Sequence, residues 1–266
     1  MLVHALQRVP EWSHAWRRAG RLVLLLDFDG TLAPIVERPE LAGMPGATRA
    51  ALERLRARPD VTLAVVSGRG LADVRALAAI DGIAYAGNHG MEIEGPGIHR
   101  IHPEALEARP ALDEVVGRLA PALEGIPGAF VEDKGLTLSI HFRQAPEAAV
   151  PRVRAAVHDA AAAHGDALRV TAGKMVLEVR PRVDWHKGRA VRFLLEQMRP
   201  PAGAPVLYLG DDRTDEDAFA ALEDARLGEG VIVADPLPGS TAARSFLHAP
   251  AEVGELFAAL ADAAEG

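Results

Sequence analysis

Runs of apolar residues that end abruptly in polar turn residues recur along this chain. LVLLL (22–26) precedes two aspartates, VTLAVV (61–66) precedes Ser-Gly-Arg, and PVLYLG (205–210) precedes two more aspartates. IAYAGNHG (83–90) and VIVAD (231–235) follow the same pattern. Continuous apolar runs of this length, bounded by turn residues, are typical of strands buried on both faces of a parallel sheet.

The segments between these runs predict amphipathic helices. Helices are predicted over 45–60, about 70–79, 187–198, 214–224 and 250–263. Strands and helices that alternate at this spacing indicate an α/β fold with a doubly wound parallel sheet. The first twenty residues, with Trp12 and Trp16 four apart, predict a further helix that packs on this core rather than on a partner.

The pattern changes in the middle of the chain, where the strands are no longer apolar throughout. In GLTLSIHFR (135–143) and GKMVLEVR (173–180), apolar side chains fall on one face and mostly polar ones on the other. Such strands are typical of a sheet that is covered by helices on one side and open on the other. Helical patterns over 104–124 and 147–164 supply the cover.

A chain of 266 residues is long enough to hold two domains with separate cores. Segments rich in Gly, Pro and His at 95–103 and 180–188 resemble linkers around an insertion. We therefore predict a discontinuous core at 1–102 and 184–266, with a smaller α/β cap inserted at 103–183.

Composition narrows the classes of protein to consider. The net charge is -8 with no long run of either sign, which argues against a nucleic-acid binder. The absence of cysteine excludes disulfides, thiolate metal sites and a cysteine nucleophile. No signal peptide and no apolar run of membrane-spanning length is evident. We expect a soluble cytoplasmic protein with no membrane contact and no obligate protein partner.

Two carboxylates, Asp27 and Asp29, follow the first apolar run and are followed in turn by Gly30 and Thr31. The carboxyl ends of parallel strands are where open α/β sheets bind ligands. Two anions this close favour a cation or a shared proton. The pattern indicates a nucleophilic carboxylate with a second carboxyl group that moves protons, organised around a hard metal ion. A turn that merely caps the strand is the alternative, disfavoured by the apolar run and the following Thr-Leu.

Other strand ends and one helix start carry further candidate groups. Ser67 could cap a helix or donate to a phosphoryl oxygen. Asp211 and Asp212 directly follow a buried strand, which favours a metal ligand and its neighbour, whereas Asp215 could simply stabilise a helix start. Lys187 opens a helix, where a cation opposes the helix dipole, and this placement favours a functional role.

Lysine is rare in this chain. Of 29 basic residues, lysine occurs only at 134, 174 and 187. Lysine is a compact point charge that suits a crowded anion site better than arginine does. All three lysines lie in segments that are functional candidates for independent reasons. Lys187 belongs with the aspartates at the strand ends, and Lys134 and Lys174 lie in the predicted cap.

Four segments carry a family resemblance. DFDGTL, SGR, Lys187 and GDDRTDE resemble, in order, the four motifs of the haloacid dehalogenase superfamily, and the insertion resembles the α/β cap of its sugar-phosphatase branch. Within that branch, the segments AGNHGMEIEGPG, VEDKGLTLSIHFR, GKMVLEVRP and YLGDDRTDEDAF are similar to the trehalose-6-phosphate phosphatases.

The resemblance implies a two-step hydrolysis of a phosphate ester. Asp27 would attack phosphorus and form an aspartyl-phosphate intermediate. Asp29 would protonate the departing sugar oxygen and then accept a proton from the attacking water. Ser67 and Lys187 would hold the phosphoryl oxygens.

The same resemblance implies Mg²⁺ as cofactor. Asp27, the backbone carbonyl of Asp29, Asp211 and water molecules would complete an octahedron around the ion. Asp212 would be the neighbour of a ligand, and Asp215 would reach metal-bound water.

Several residues are candidates for substrate binding. They are Thr31, Arg69, Asn88, His89, Glu132, Lys134, Arg143, Lys174 and Glu178. The alternating acceptors and donors of the cap suit the hydroxyls of a disaccharide. Cross-strand ion pairing is the alternative in the cap, and an ordinary turn is the alternative for Asn88 and His89.

We therefore expect a phosphomonoester hydrolase that acts on trehalose 6-phosphate. A phosphatase for sucrose 6-phosphate or mannosylglycerate phosphate is the first alternative, and a phosphomutase is disfavoured because nothing indicates a bisphosphate site. A catalytically silent sugar-phosphate-binding module is the alternative from another class. The four candidate groups Asp27, Asp29, Lys187 and Asp211 argue against it.

Overall fold

A computed structural model describes residues 2–36, 38–173 and 175–265 of the chain. Its first part contains β1 (Val3–His4), α1 (Ala5–Ala19), β2 (Leu22–Leu26), α2 (Gly46–Arg56), β3 (Val61–Val66), α3 (Leu71–Ala78), β4 (Ala84–Gly87), β5 (Glu92–Gly95) and β6 (Ile98–Ile101). The middle contains α4 (Pro103–Glu107), α5 (Arg109–Leu123), β7 (Phe130–Asp133), β8 (Leu138–His141), α6 (Val150–Ala162), β9 (Leu168–Gly173) and β10 (Val176–Pro181). The last part contains α7 (Lys187–Met198), β11 (Val206–Gly210), α8 (Glu216–Asp224), β12 (Glu229–Val233), β13 (Ser245–Leu247) and α9 (Pro250–Glu265).

The chain divides into two compact units. One consists of Met1–His99 together with Trp185–Gly266, and the other of Arg100–Asp184. Each unit has its own sheet and its own apolar core, and they are called here the core unit and the cap unit.

The sheet of the core unit has the strand order β1-β13-β12-β11-β2-β3-β4-β5-β6. Neighbours from β1 to β4 run parallel, and β5 is antiparallel to β4. Successive residues of β2 face opposite layers, since a strand presents its side chains alternately to its two faces. Leu24 packs in the apolar cluster that includes α1, α2 and α9, and Leu25 packs in the one that includes α7 and α8. The predicted doubly wound α/β fold is confirmed.

The N-terminal helix packs on this core, as predicted. Trp12 and Trp16 are each only 2% exposed and lie in the same cluster as α9. None of the helices in the described ranges combines the length and apolar character that crossing a bilayer requires.

The cap unit contains a four-stranded antiparallel sheet in the order β7-β8-β10-β9. One face packs against α5 and α6 through residues such as Leu138, Ile140, Leu177 and Val179. The opposite face is polar, but it is less open than predicted because Ser139 is only 1% exposed. Ser139 lies in register between Glu132 and Glu178. The longer side chains of these two residues explain part of its burial.

One predicted helix of the cap is divided. The continuous helix predicted over 104–124 is two helices in the structure, α4 and α5. Pro110 occupies the first turn of α5, where its missing N–H leaves no helical hydrogen bond unmade. A proline at that position therefore favours a new helix start over a continuous helix.

Candidate active site

Three adjacent strands of the core unit end in the predicted groups. β11, β2 and β3 are neighbours and run parallel, so their carboxyl ends lie at one edge of the sheet. Asp27 follows β2, Ser67 follows β3 and Asp211 follows β11. The apolar strands thus bring together groups that are far apart in the sequence.

A buried lysine joins two of the carboxylates at this edge. Lys187 Nζ, at the start of α7, donates to Asp27 Oδ1 at 2.7 Å and to Asp215 Oδ1 at 2.7 Å. All three residues are at most 4% exposed. Burial alone would lower the pKa of Lys187, but the carboxylates of Asp215 and Asp27 outweigh burial and raise that pKa well above its ordinary value. The ammonium group is therefore a fixed positive charge.

Asp215 is the most heavily hydrogen-bonded member of this group. Its Oδ1 also accepts from the hydroxyl of Tyr208 at 2.6 Å, and its Oδ2 accepts from the backbone N–H groups of Asp211 at 3.0 Å and Asp212 at 3.1 Å. Sequence reasoning missed Tyr208. The available signal was a hydroxyl in a strand that otherwise consists of apolar residues and glycine.

The cluster carries more negative charge than Lys187 balances. Burial raises the pKa of the Asp27 carboxyl well above its ordinary value; Asp215 and Asp211 raise it further, and Lys187 opposes them. Burial, followed by Asp215 and Asp212, raises the pKa of Asp211 to about 8. A cation bound among these carboxylates would favour their ionised forms.

The residues present fit a hard divalent cation. Carboxylate oxygens of Asp27, Asp211 and Asp215 all lie within 4.8 Å of one another, and oxygen donors are what Mg²⁺ prefers. Gly30, at φ 78°, provides room for one of these groups, because a methyl group there would overlap the Asp211 carboxylate. Since Asp215 already accepts four hydrogen bonds, Asp27 and Asp211 are the better candidates for direct ligands.

Asp212 has a different local role in the structure. Its Oδ1 accepts from both the backbone N–H and the hydroxyl of Thr214, each at 2.7 Å. Lys187 and these hydrogen bonds outweigh burial and lower the pKa of Asp212. Asp212 thus fixes the loop between β11 and α8, and its predicted place beside a metal ligand stays a prediction.

Asp29 forms a bidentate ion pair. Arg69 donates from Nε to Asp29 Oδ2 at 2.6 Å and from Nη2 to Asp29 Oδ1 at 2.8 Å. The same guanidinium also donates to Asp73 at 2.8 Å and to the carbonyl of Pro39 at 2.9 Å. Hydrogen bonds to Asp29 outweigh burial and raise the pKa of Arg69. Arg69 therefore holds Asp29 in one orientation, and the substrate contact predicted for Arg69 remains a prediction.

Two buried hydroxyl groups lie beside these residues in the chain. The Ser67 hydroxyl accepts from the backbone N–H of Arg69 at 3.2 Å and is 1% exposed. Thr31 is fully buried, and its hydroxyl finds no hydrogen-bond partner within the part of the chain that the structure describes. A buried hydroxyl without a partner is costly unless a ligand satisfies it.

The turn after β4 is built around an unusual backbone. Asn88, His89 and Gly90 have φ angles of 51°, 57° and 87°, three consecutive residues in the left-handed region. The N–H of Asn88 donates to the carbonyl of Arg69 at 2.7 Å, and that of His89 donates to the carbonyl of Ser67 at 2.8 Å. Non-glycine residues rarely adopt this conformation, so it is not an ordinary turn. These two backbone hydrogen bonds connect the turn after β4 to the Ser67-Gly68-Arg69 turn after β3.

Two of the predicted sugar-binding residues of the cap unit, Glu132 and Glu178, lie on the polar face of its sheet. Glu132 and Glu178 are both register partners of Ser139. Lys134 Nζ lies 3.4 Å from Glu178 Oε1, so the cross-strand ion pair considered above does form.

The sugar-binding roles predicted for two further residues of the cap unit remain predictions. Arg143 is exposed in the turn after β8, and Lys174 lies outside the described residues.

Comparison with known proteins identifies relatives that are trehalose-phosphate phosphatases. The sequence profile of the trehalose-phosphatase family matches residues 25–248. The trehalose-phosphate phosphatase of Mycobacterium avium (strain 104) is 42% identical over 254 residues, which cover 93% of this chain and 64% of that protein. The corresponding protein of Mycobacterium tuberculosis (strain H37Rv) is 41% identical over 258 residues, 94% of this chain and 65% of that protein. The chain thus spans less than two thirds of the length of these curated relatives.

Solved structures with a similar fold include two fungal proteins. The C-terminal domain of trehalose-6-phosphate phosphatase from C. albicans is 25% identical, with a TM-score of 0.77 and coverage of 96% of each chain. The trehalose-6-phosphate phosphatase of Aspergillus fumigatus is 30% identical, with a TM-score of 0.62 and coverage of 96% of this chain and 97% of that one.

Proposed function

The chain belongs to the trehalose-phosphatase family, and we propose on that basis that it hydrolyses trehalose 6-phosphate to trehalose and phosphate with Mg²⁺ as cofactor. The observation that carries the proposal is the buried cluster in which Lys187 contacts Asp27 and Asp215, each at 2.7 Å. A carboxylate nucleophile beside a fixed cation suits the transfer of a phosphoryl group, because both the attacking atom and the charge on the phosphoryl oxygens are then positioned in advance.

In the first step, the Asp27 carboxylate attacks phosphorus, and the bond between phosphorus and the sugar oxygen breaks. Asp29 gives a proton to that oxygen, so trehalose leaves as a neutral alcohol and the phosphoryl group remains on Asp27. Lys187 and the hydroxyl of Ser67 stabilise the phosphoryl oxygens. The buried hydroxyl of Thr31 is available to donate to the same group.

In the second step, water attacks phosphorus while Asp29 accepts one of its protons. The bond between phosphorus and Asp27 breaks, inorganic phosphate is released and the Asp27 carboxylate is restored. Asp29 must therefore carry a proton first and accept one later, which requires a fixed position beside the reacting oxygen. Through its two hydrogen bonds, Arg69 holds the ionised form of Asp29, the form that accepts a proton in this second step, so we assign Arg69 as a positioning residue.

Mg²⁺ would be held by Asp27, Asp211 and the backbone carbonyl of Asp29. When bound, the ion supplies positive charge that offsets the charge of the phosphoryl oxygens. Asp215 would act through Lys187 and through the backbone of the loop after β11, to which it is hydrogen-bonded. Asp212 would keep that loop in shape through Thr214.

We assign the choice of sugar to the cap unit. Glu132, Lys134 and Glu178 lie on one face of its sheet and offer both acceptors and donors to hydroxyl groups. A disaccharide has many hydroxyls and no charge beyond its phosphate, so paired charges suit it better than a cluster of cations. Lys174, Arg143, Asn88 and His89 complete the proposed set of substrate-binding residues.

A phosphate-release assay over a panel of esters tests the proposal. The panel contains trehalose 6-phosphate, sucrose 6-phosphate, mannosylglycerate phosphate, glucose 6-phosphate and p-nitrophenyl phosphate, each with Mg²⁺ and with excess chelator. We expect the highest kcat/KM with trehalose 6-phosphate, loss of activity with chelator and recovery when Mg²⁺ is restored. A preference for another sugar phosphate would reassign the substrate, and release from none of the esters would contradict an enzymatic role.

A further inference from the structure

One aromatic side chain of the cap unit is unusually exposed. Phe130, the first residue of β7, leaves 51% of its surface accessible. Its ring stacks on the imidazole of His141, with ring centroids 4.7 Å apart and planes inclined by 19°. The two residues are register partners on neighbouring strands. The stack therefore presents one flat apolar surface to its surroundings.

This ring lies on the polar face of the cap sheet, not on the face that packs against α5 and α6. His141 Nε2 lies 2.7 Å from Glu132 Oε2, which fixes the imidazole under the phenyl ring. The next row of the sheet holds Glu132, Ser139 and Glu178 side by side. An aromatic platform thus borders a row of hydrogen-bonding groups.

Both carboxylates of this row already have partners. Glu132 lies against His141, and Glu178 lies 3.4 Å from Lys134 and 3.9 Å from Arg180. Carboxylates that are held by such partners suit a ligand that brings its own hydroxyl groups.

We propose that the Phe130–His141 stack is the platform on which the glucose ring without phosphate lies in the bound disaccharide. This inference rests on the proposed function and names a specificity-determining residue for it. A pyranose ring has faces lined by C–H groups and an edge lined by hydroxyls. The C–H face contacts Phe130, while the hydroxyl edge is directed to the adjacent row of Glu132 and Glu178. Aromatic contacts of this kind add affinity and fix orientation at low entropic cost.

A purely structural role for the stack makes a different prediction. Aromatic cross-strand pairs contribute modestly to the stability of a sheet. In that case, removal of Phe130 lowers the melting temperature of the cap unit and leaves sugar recognition unchanged. Thermal unfolding must therefore be measured together with kinetics.

The experiment compares Phe130→Ala, Phe130→Trp and the control Leu106→Ala in the full chain. Leu106 lies in α4, is 54% exposed and has no part in the proposed platform. We expect Phe130→Ala to raise KM for trehalose 6-phosphate roughly tenfold with little change in kcat. The ratio of kcat/KM for trehalose 6-phosphate to that for p-nitrophenyl phosphate falls by the same factor. Phe130→Trp retains most of that ratio, and Leu106→Ala retains all of it.

A second readout separates this inference from the proposed function. Saturation-transfer NMR with trehalose alone measures binding of the neutral sugar without any chemical step. Transfer to the sugar C–H protons in the wild type that is lost in Phe130→Ala supports the platform. An unchanged KM and unchanged transfer in Phe130→Ala would overturn the platform and leave the phosphatase assignment intact. Failure of the wild type to hydrolyse trehalose 6-phosphate would instead overturn the proposed function.

Discussion

One lysine in each unit contacts carboxylates, and these contacts differ in length and in burial. In the core unit, Lys187 is 3% exposed and lies 2.7 Å from both Asp27 and Asp215. In the cap unit, the side chain of Lys134 is 11% exposed and lies 3.4 Å from Glu178. The shorter, fully buried contacts fix a charge in one place, as phosphoryl transfer requires. The longer contact, beside more accessible carboxylates, can exchange partners with the hydroxyls of a ligand.

The largest effect is expected when Asp27, the proposed nucleophile after β2, is replaced. Asp27→Asn should reduce kcat at least about a thousandfold on every ester, because an amide cannot form the phosphoryl intermediate. Unfolding should stay cooperative, since the amide has nearly the same volume. Asp262→Asn, at an exposed aspartate of α9, is the control. Turnover near the wild-type rate in Asp27→Asn would exclude the proposed mechanism.

The next largest effect is expected when the Asp211 carboxylate is displaced but not removed. Gly30→Ala places a methyl group on the Asp211 carboxylate, so we expect roughly a hundredfold loss of kcat/KM on all esters and weaker activation by Mg²⁺. Gly203→Ala is a matched control, because Gly203 has φ 80° and nothing within 4 Å of the added methyl group. Both variants carry the strain of a positive φ, which costs about 1 kcal/mol of stability. Equal activity losses in the two would show that strain, and not displacement of Asp211, is responsible.

A smaller effect is expected from Arg69→Lys. Lysine keeps the charge but cannot form the bidentate pair that orients Asp29. We expect about a tenfold loss of kcat with both sugar and generic esters, measured at saturating substrate. Arg75→Lys, at an exposed ion pair with Glu94, should leave kcat unchanged. If the loss falls on KM for the sugar ester alone, Arg69 binds substrate directly, as first predicted.

The smallest effect concerns the hydroxyl behind Asp215. Tyr208→Phe removes the 2.6 Å hydrogen bond to Asp215 and should lower kcat about threefold. Tyr85 offers the matched control, because its hydroxyl donates to the carbonyl of Ile80 at 2.7 Å in the same unit. Tyr85→Phe should lower the melting temperature by a similar amount without changing kcat. A Tyr208→Phe variant with reduced stability but normal kcat would reduce Tyr208 to a structural role.

The sequence predicted the parts of this site that follow from strand pattern. Asp27, Ser67 and Asp211 were found because each directly follows an apolar strand, and parallel strands bring such ends together. Tyr208 was missed because its role depends on its contact with Asp215, in the loop before α8, which no periodicity specifies. The pairing of Arg69 with Asp29 also depends on side-chain geometry across two strands.

In the cap unit, too, the sequence pattern predicts only part of the structure. Alternation predicted which residues of its strands share a face, and the register pairs of Ser139 agree. It did not predict the exposed Phe130, because an apolar residue at the start of a strand ordinarily indicates burial.

Comparing one cap variant on two substrates tests the separation of roles between the units most directly. Glu178→Ala removes a carboxylate of the cap face, with Asp113→Ala as control at an exposed cap ion pair. We expect kcat/KM for trehalose 6-phosphate to fall at least about tenfold more than kcat/KM for p-nitrophenyl phosphate. Equal losses on the two substrates would contradict this expectation, because Glu178 would then support the fold and not the choice of sugar.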